Sequence, residues 1–286
     1  MFSLALTCIA LAGFTGCGSR ETNVASGDAT QTLHFGNLSE PTDLDPHVIT
    51  SLQDFNIVLS LFEGLTQYDP QDSHATPGVA THWEPSADLK TWTFHLRPDA
   101  KWSNGDPVTA EDFAYAYQRM LSPKFASEYA YMLFCLDGAE AYLSDESTDF
   151  ATVGVKVVDD HTLQLQLAYP VPCLPDLIAH ASWDPVHKAT IETYGAMDQR
   201  GSRWTRPGNL VGNGPFVLSA WKPQPSHHRH QIQNLTGTPL KYASTPSIST
   251  PAKALPAKKP PSAPAHCTSP PASPSIRLPS TRTTPH

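Results

Sequence analysis

Residues 91–97 alternate without a break: Trp92, Phe94 and Leu96 fall on one side of an extended chain, and Thr91, Thr93, His95 and Arg97 on the other. Period two of this kind predicts a strand with one face in a core. A second strand pair is predicted where residues 155–158 and 163–167 flank Asp159-Asp160-His161, the composition of a hairpin turn. Two segments carry the helical period instead. In residues 54–65, Phe55, Val58, Leu59 and Phe62 recur at helical spacing and predict the buried face, with Gly64 as the left-handed closing residue. In the second, Thr109-Ala110-Glu111-Asp112 gives a capped start with acids in the first turn. Phe113, Ala116, Tyr117, Met120 and Leu121 form its apolar stripe. A short strand at residues 31–35, a turn-rich stretch at 40–47 and a turn at Ser103-Asn104-Gly105-Asp106-Pro107 complete the pattern. Strands and helices mixed in this order predict an α/β or α+β sheet protein rather than a helical bundle. Trp92, Phe94, Trp102, Phe113 and Tyr117 are the expected core aromatics. Gly64, Gly105 and Gly214 are expected to serve backbone geometry, and Arg97 and Lys101 to be solvated surface charges.

Composition divides the chain after Lys222. All 27 acidic residues lie in residues 1–222, against 12 Lys and Arg, a balance of −15. The remaining 64 residues hold no acid, 7 Lys and Arg, 14 of the 28 prolines and one aromatic, Tyr242. That segment has too little apolar surface to offset its chain entropy, so no fold is predicted for it. The acidic head argues against nucleic-acid binding.

Residues 1–19 are uncharged and apolar at 4–12, too short for a comfortable membrane span. The run ends in Phe14-Thr15-Gly16-Cys17-Gly18-Ser19, which resembles the lipobox of bacterial lipoproteins. Residues 1–17 are expected to be a signal peptide with Cys17 lipidated, and 18–30 a flexible tether. In an exported chain Cys135 and Cys173 have two open fates, a disulfide or two separate buried thiols, and the second is favoured.

No Gly-x-Ser-x-Gly elbow, phosphate-cradling glycine loop or His-Glu-x-x-His motif is present. Neither a catalytic centre nor a cofactor is expected. Nor is a metal: the acid cluster at 145–149 lacks a calcium-loop pattern, and His227, His228 and His230 lie in the anomalous tail.

The ordered motifs carry a family resemblance. Glu40-Pro41-Thr42-Asp43-Leu44-Asp45-Pro46-His47 is followed by Leu61-Phe62-Glu63-Gly64-Leu65 and Trp92-Thr93-Phe94-His95-Leu96-Arg97. Then come Ala100-Lys101-Trp102-Ser103-Asn104-Gly105-Asp106-Pro107-Val108-Thr109-Ala110-Glu111-Asp112-Phe113, Val155-Lys156-Val157-Val158-Asp159-Asp160-His161-Thr162 and Gly212-Asn213-Gly214-Pro215-Phe216. The set resembles the oligopeptide-binding lipoproteins of ABC importers, the family 5 extracellular solute-binding proteins. The resemblance implies an α/β, type II periplasmic-binding-protein fold with two lobes. Residues 31–75 and 200–222 would form part of domain I and 76–199 domain II, with no room for the domain that supplies the far lobe. It also implies a monomeric, lipid-anchored subunit in the periplasm or cell envelope. That subunit would bind short extended peptides non-covalently and work with ABC permease and ATPase subunits. A receptor for cell-wall or signalling peptides and a non-functional fragment are the alternatives. Site residues carried over by the resemblance are Thr50, Ser51 and Leu52, for backbone contacts to the peptide, and Tyr129, which has a core role as its alternative.

The family pattern fades after Trp221-Lys222-Pro223, where the composition also changes. Back-translated and moved by two nucleotides, residues 231–242 permit the Asn-Pro-x-Tyr-Trp-Asp-Ala-Ala-Lys-Val stretch that such proteins carry there. Residues 223–286 are therefore expected to be out-of-frame sequence, with a genuine Pro-rich cationic tail as the alternative.

Overall fold

The computed structural model describes residues 32–33, 37, 40–221 and 235–236. The signal sequence, Cys17, the tether, His227, His228 and His230 lie outside them. No helix among the described residues is long and apolar enough to cross a membrane.

The alternating segments build a four-stranded antiparallel sheet from β4 (Ala80–Pro85), β5 (Thr91–Leu96), β6 (Val155–Asp159) and β7 (Thr162–Gln166), in the order β4-β5-β7-β6. Trp92, Phe94 and Leu96 of β5 and Leu163 and Leu165 of β7 point into the core, and all five are buried. The opposite face carries Thr91, Thr93, His95, Thr162, Gln164 and Gln166, so the sheet is dry on one side and polar on the other. One irregularity interrupts it. Between Ala80 and His82 the register of β4 against β5 slips by one residue, a bulge at Thr81. Two smaller sheets flank it: β2 (Thr66–Tyr68) with β3 (Ala75–Pro77), and β1 (Thr32–Leu33), β8 (Val217–Leu218) and β9 (Leu235–Thr236) in the order β1-β9-β8. Residues 235–236 belong to the segment for which composition predicts no structure. Their pairing is possible because a ladder is made by backbone groups, whatever the side chains.

Helix α2 (Ala110–Met120) begins as its sequence predicts. Thr109 is the N-cap residue, and the Asp112 carboxylate accepts from its backbone N–H at 2.8 Å. Phe113, Ala116, Tyr117, Met120 and Leu121 are all fully buried. Helix α1 (Leu52–Leu61) is shorter than its prediction, and of the expected face Val58 and Phe62 are buried. Its buried residues are Asp54, Ile57, Val58 and Leu61; Phe55 is half-buried and Leu59 is 51% exposed. The period was right, but this helix is apolar on two sides, and the pattern alone does not say which side faces in. Gly64 does not close it either: the C-cap is Phe62 in an extended conformation. A Cβ at Gly64 would lie 2.7 Å from Asp184 Oδ1, so Gly64 answers close approach, whereas Gly105 does take the left-handed turn conformation at φ +97°.

Two further expectations are corrected. Arg97 is no solvated charge: its Nη1 and Nη2 donate to Glu63 Oε1 and Oε2 at 3.1 and 2.6 Å, and Nη1 also donates to the Gly78 carbonyl at 2.7 Å. Cys135 is a free buried thiol and so does not pair with Cys173, which is half-buried rather than buried.

The turn at 43–48, helix α2 and the segment around residue 197 meet at Arg119, whose side chain is completely buried. Its Nη1 and Nη2 donate to Asp45 Oδ1 and Oδ2 at 2.9 and 2.5 Å, its Nε donates to the Met197 carbonyl at 2.8 Å, and the guanidinium lies 4.0 Å from the centre of the Phe125 ring. Removing one partner of such a pair strands the other's charge in the core. Arg119→Ala is therefore expected to destabilise the protein by about 3–5 kcal/mol, and Asp45→Asn combined with Arg119→Met to recover part of that loss. Urea unfolding followed by tryptophan fluorescence measures both; a single variant within about 1 kcal/mol of wild type contradicts this reading.

Candidate functional site

The turn at 43–48 delivers the chain to the start of α1. Ser51 is extended (φ −96°, ψ 145°) and caps the helix, its Oγ accepting from the Asp54 N–H at 3.1 Å. Asp54, buried beneath, binds Thr42 twice: the Thr42 N–H and Oγ1 donate to its two carboxylate oxygens at 3.1 and 2.8 Å. The entry to the helix is thus fixed from below while its upper side stays open. Thr50 is exposed and Leu52 is 72% exposed.

Leu52, Phe55 and Leu59 stand at i, i+3 and i+7 and share one face of α1. Tyr129 packs against Phe55 edge to face, with ring centres 5.9 Å apart. The His180 ring lies 4.8 Å from Phe55 and 5.1 Å from Tyr129, and Tyr131, 59% exposed, extends the group at 6.1 Å from Tyr129. Tyr129 is half-buried, so it is neither a core aromatic nor a free one. The Ser182 N–H donates to His180 Nδ1 at 3.2 Å, which assigns the ring proton to Nε2. Burial holds the His180 imidazole below its ordinary value, and it is neutral at physiological pH. The result is an aromatic floor beside an open helix start. Tyr129 packs in it against Phe55 and His180, and Phe55 belongs to the helix whose start carries the exposed Thr50 and Leu52. The sequence reading missed Phe55 and His180. The helical period puts Phe55 on one face with Leu59 without saying what covers it, and His180 carries no motif of its own.

Next to this face is a cavity of about 200 Å³ lined by Leu59, Glu63, Gln67, Tyr68, Ala179 and Asp184, among others. Glu63 is held by Arg97, but the Asp184 carboxyl is buried with its Oδ2 unpartnered. Burial, with the Glu63 charge adding to it, raises that carboxyl well above its ordinary range. The backbone of Asp184 is tied down from the other side. His47 Nε2 donates to its carbonyl at 3.0 Å, while His47 Nδ1 accepts from Arg119 at 2.9 Å. Burial, then the Arg119 charge, pushes His47 down to about 4. For Asp45, burial alone would raise the carboxyl, but the Arg119 charge and its paired hydrogen bonds outweigh it and hold it below its ordinary value. Cys135 is no nucleophile: burial pushes its thiol up to about 12.

A model of the "Bacterial extracellular solute-binding proteins, family 5 Middle" matches residues 74–228, and the chain belongs to this family. Its fold is part of a type II periplasmic-binding-protein fold. It is 45% identical over 192 residues to the periplasmic oligopeptide-binding protein OppA of Escherichia coli K12, covering 67% of this chain and 34% of that protein. It is 39% identical over 221 residues to the periplasmic murein peptide-binding protein MppA of the same organism, covering 76% and 39%. Among solved structures it matches Haemophilus influenzae OppA in complex with RPPGFSPFR, at 37% identity and a TM-score of 0.61, over 66% of this chain and 36% of that one. The chain thus spans about a third of the length of the curated relatives it matches.

His47 and Asp184 make opposite demands on pH. His47 titrates near 6.5 when unfolded and near 4 when folded, so its contribution to stability is complete above pH 6.5 and is lost as pH falls toward 4. Asp184 has a folded value raised above 3.8, so its contribution is complete at low pH and is lost as pH rises through that raised value. Between pH 4 and 6.5 the two slopes oppose. Asp184→Asn is expected to raise stability at pH 7.5 by about 1–3 kcal/mol, roughly 2–10 °C in melting temperature, and to leave a steeper decline below pH 6.5 than wild type shows. Melting curves across this range check it, and parallel profiles for the two proteins contradict it.

Proposed function

We propose that this chain contributes the near half of a peptide-binding site in an ABC importer. Extended peptides would bind non-covalently, with no chemistry and no cofactor. The observation that carries the reading is the aromatic floor of Phe55, Tyr129 and His180 beside the open backbone of residues 50–52, in a member of this family. A binder of many sequences must hold what all peptides share, their backbone groups, and an open helix start next to flat aromatic surface suits that task. Tyr129 supplies stacking area, and the Nε2–H of His180 is a donor at its edge. Names of the relatives, oligopeptide-binding and murein peptide-binding, favour peptides as the ligand class and keep a cell-wall peptide as a second reading. Export, acylation at Cys17 and work with permease and ATPase subunits belong to the same proposal.

We further propose that residues after about 223 are out of frame; the family match ends at 228, close to the change in composition. Resequencing the locus around codon 223 tests this, and an intact frame confirmed by peptides from the expressed protein would contradict it. One face alone leaves a bound peptide largely hydrated. Calorimetry with di- to pentapeptides, including a murein tripeptide, is expected to give affinities weaker than micromolar, reduced further in Tyr129→Ala. Micromolar affinity in the wild-type chain would overturn the one-lobe reading.

A further inference from the structure

The outer face of the four-stranded sheet holds a group that the peptide-binding reading does not use. His82 and Glu84 sit at i and i+2 on β4 and point the same way, and His95 on β5 is the register partner of His82. The two imidazole rings stack, with centres 4.4 Å apart and planes 11° from parallel. A ligand atom from each of the three residues lies within 4.8 Å of the others.

The bulge makes this arrangement. Ala80 pairs with Leu96, so a regular ladder would set Thr81 against His95 and turn His82 toward the core opposite Phe94. The extra residue shifts the register instead. It puts Trp83 opposite Phe94 on the inner face and brings His82 out beside His95. Thr81, the inserted residue, also orients the ligand. Its hydroxyl donates to the His95 carbonyl at 3.0 Å, and its oxygen lies 2.9 Å from His82 Nδ1. With its own proton committed, Thr81 Oγ1 accepts from Nδ1–H, which leaves the lone pair of His82 on Nε2. His95 Nε2 is buried and has no hydrogen-bond partner. Two imidazoles and a carboxylate thus lie within 4.8 Å of one another, and rotation of the stacked rings about their side-chain torsions would turn their free nitrogens onto one ion.

We propose that His82, Glu84 and His95 form a binding site for a divalent transition-metal ion, zinc foremost. Two imidazoles and one carboxylate are a common three-ligand set for Zn2+, which completes its tetrahedron with water at an open position. Softer thiolate-seeking metals lack a sulfur here, and hard cations such as Ca2+ would find only one carboxylate. The bound ion would tie β4 to β5 across an otherwise solvated face. The 12 residues between His82 and His95 show no ligand spacing, and only the bulge brings the two together.

Zn2+ titration of the full chain against a chromophoric chelator tests the site. The wild type is expected to take up one equivalent that His82→Gln and His95→Gln each weaken at least about tenfold, with Glu84→Gln weakened as well. All three side chains lie on the polar face, so far-UV circular dichroism of the variants should match wild type. His227, His228 and His230 offer a second place for zinc, so the titration is repeated with all three changed to Ala, and the equivalent lost in His82→Gln is expected to persist. Equal zinc uptake by wild type and the His82→Gln/His95→Gln double variant overturns the proposal, as does loss of that equivalent on changing the tail histidines alone.

Discussion

Arg119 and Asp45 are the two charges on which the arrangement of this protein turns. Both are removed from water, a cost that their mutual attraction offsets only with near-ideal geometry and further hydrogen bonds. Here two parallel hydrogen bonds join guanidinium and carboxylate, two more go to the Met197 carbonyl and to His47 Nδ1, and the face rests on Phe125. The consequence is positional. Asp45 lies five residues before the exposed Thr50, and Arg119 orients His47, whose other nitrogen holds the Asp184 carbonyl. One buried cation thereby sets the start of α1 and the segment from His180 to Asp184. These two pieces of chain carry Phe55 and His180, against which Tyr129 packs.

The same economy explains why Oδ2 of the Asp184 carboxyl is left without a partner. Glu63 beside it is committed to Arg97, and Gly64 lets the backbone pass close to its Oδ1. Burial without a cation favours the neutral form of such a carboxyl and raises its pKa. Its place in a cavity bordering the aromatic face sets a carboxyl of raised pKa beside a proposed ligand surface.

Much of the scaffold was legible in the sequence because local and tertiary preferences agree there. Thr109 and Asp112 cap α2, its stripe is buried residue for residue, and β5 alternates as a half-buried strand must. The resemblance drawn from ordered motifs matched the family to which the chain belongs. What could not be read depends on contacts distant in sequence. Helix α1 is apolar on both sides, and the packing of Tyr129 and His180 makes Phe55 part of a surface. Arg97 looked solvated because Glu63 lies 34 residues away. The bulge at Thr81 has no glycine to announce it, yet it decides which face receives His82. Thr50, Ser51, Leu52 and Tyr129 were named through resemblance, and the packing of Phe55 and His180 on Tyr129 emerges only from the fold.

The central claim is that the floor formed by residues 50–55, Tyr129 and His180 is where a peptide touches this chain. Backbone and aromatic chemical shifts of the labelled full-length protein, followed while a tripeptide is added to millimolar concentration, address it directly. The account predicts that the shifts which move belong to Thr50, Ser51, Leu52, Phe55, Tyr129, Tyr131 and His180, with the outer sheet face around His82 and His95 unmoved. Perturbations confined to another surface, or none at saturating peptide, would contradict it.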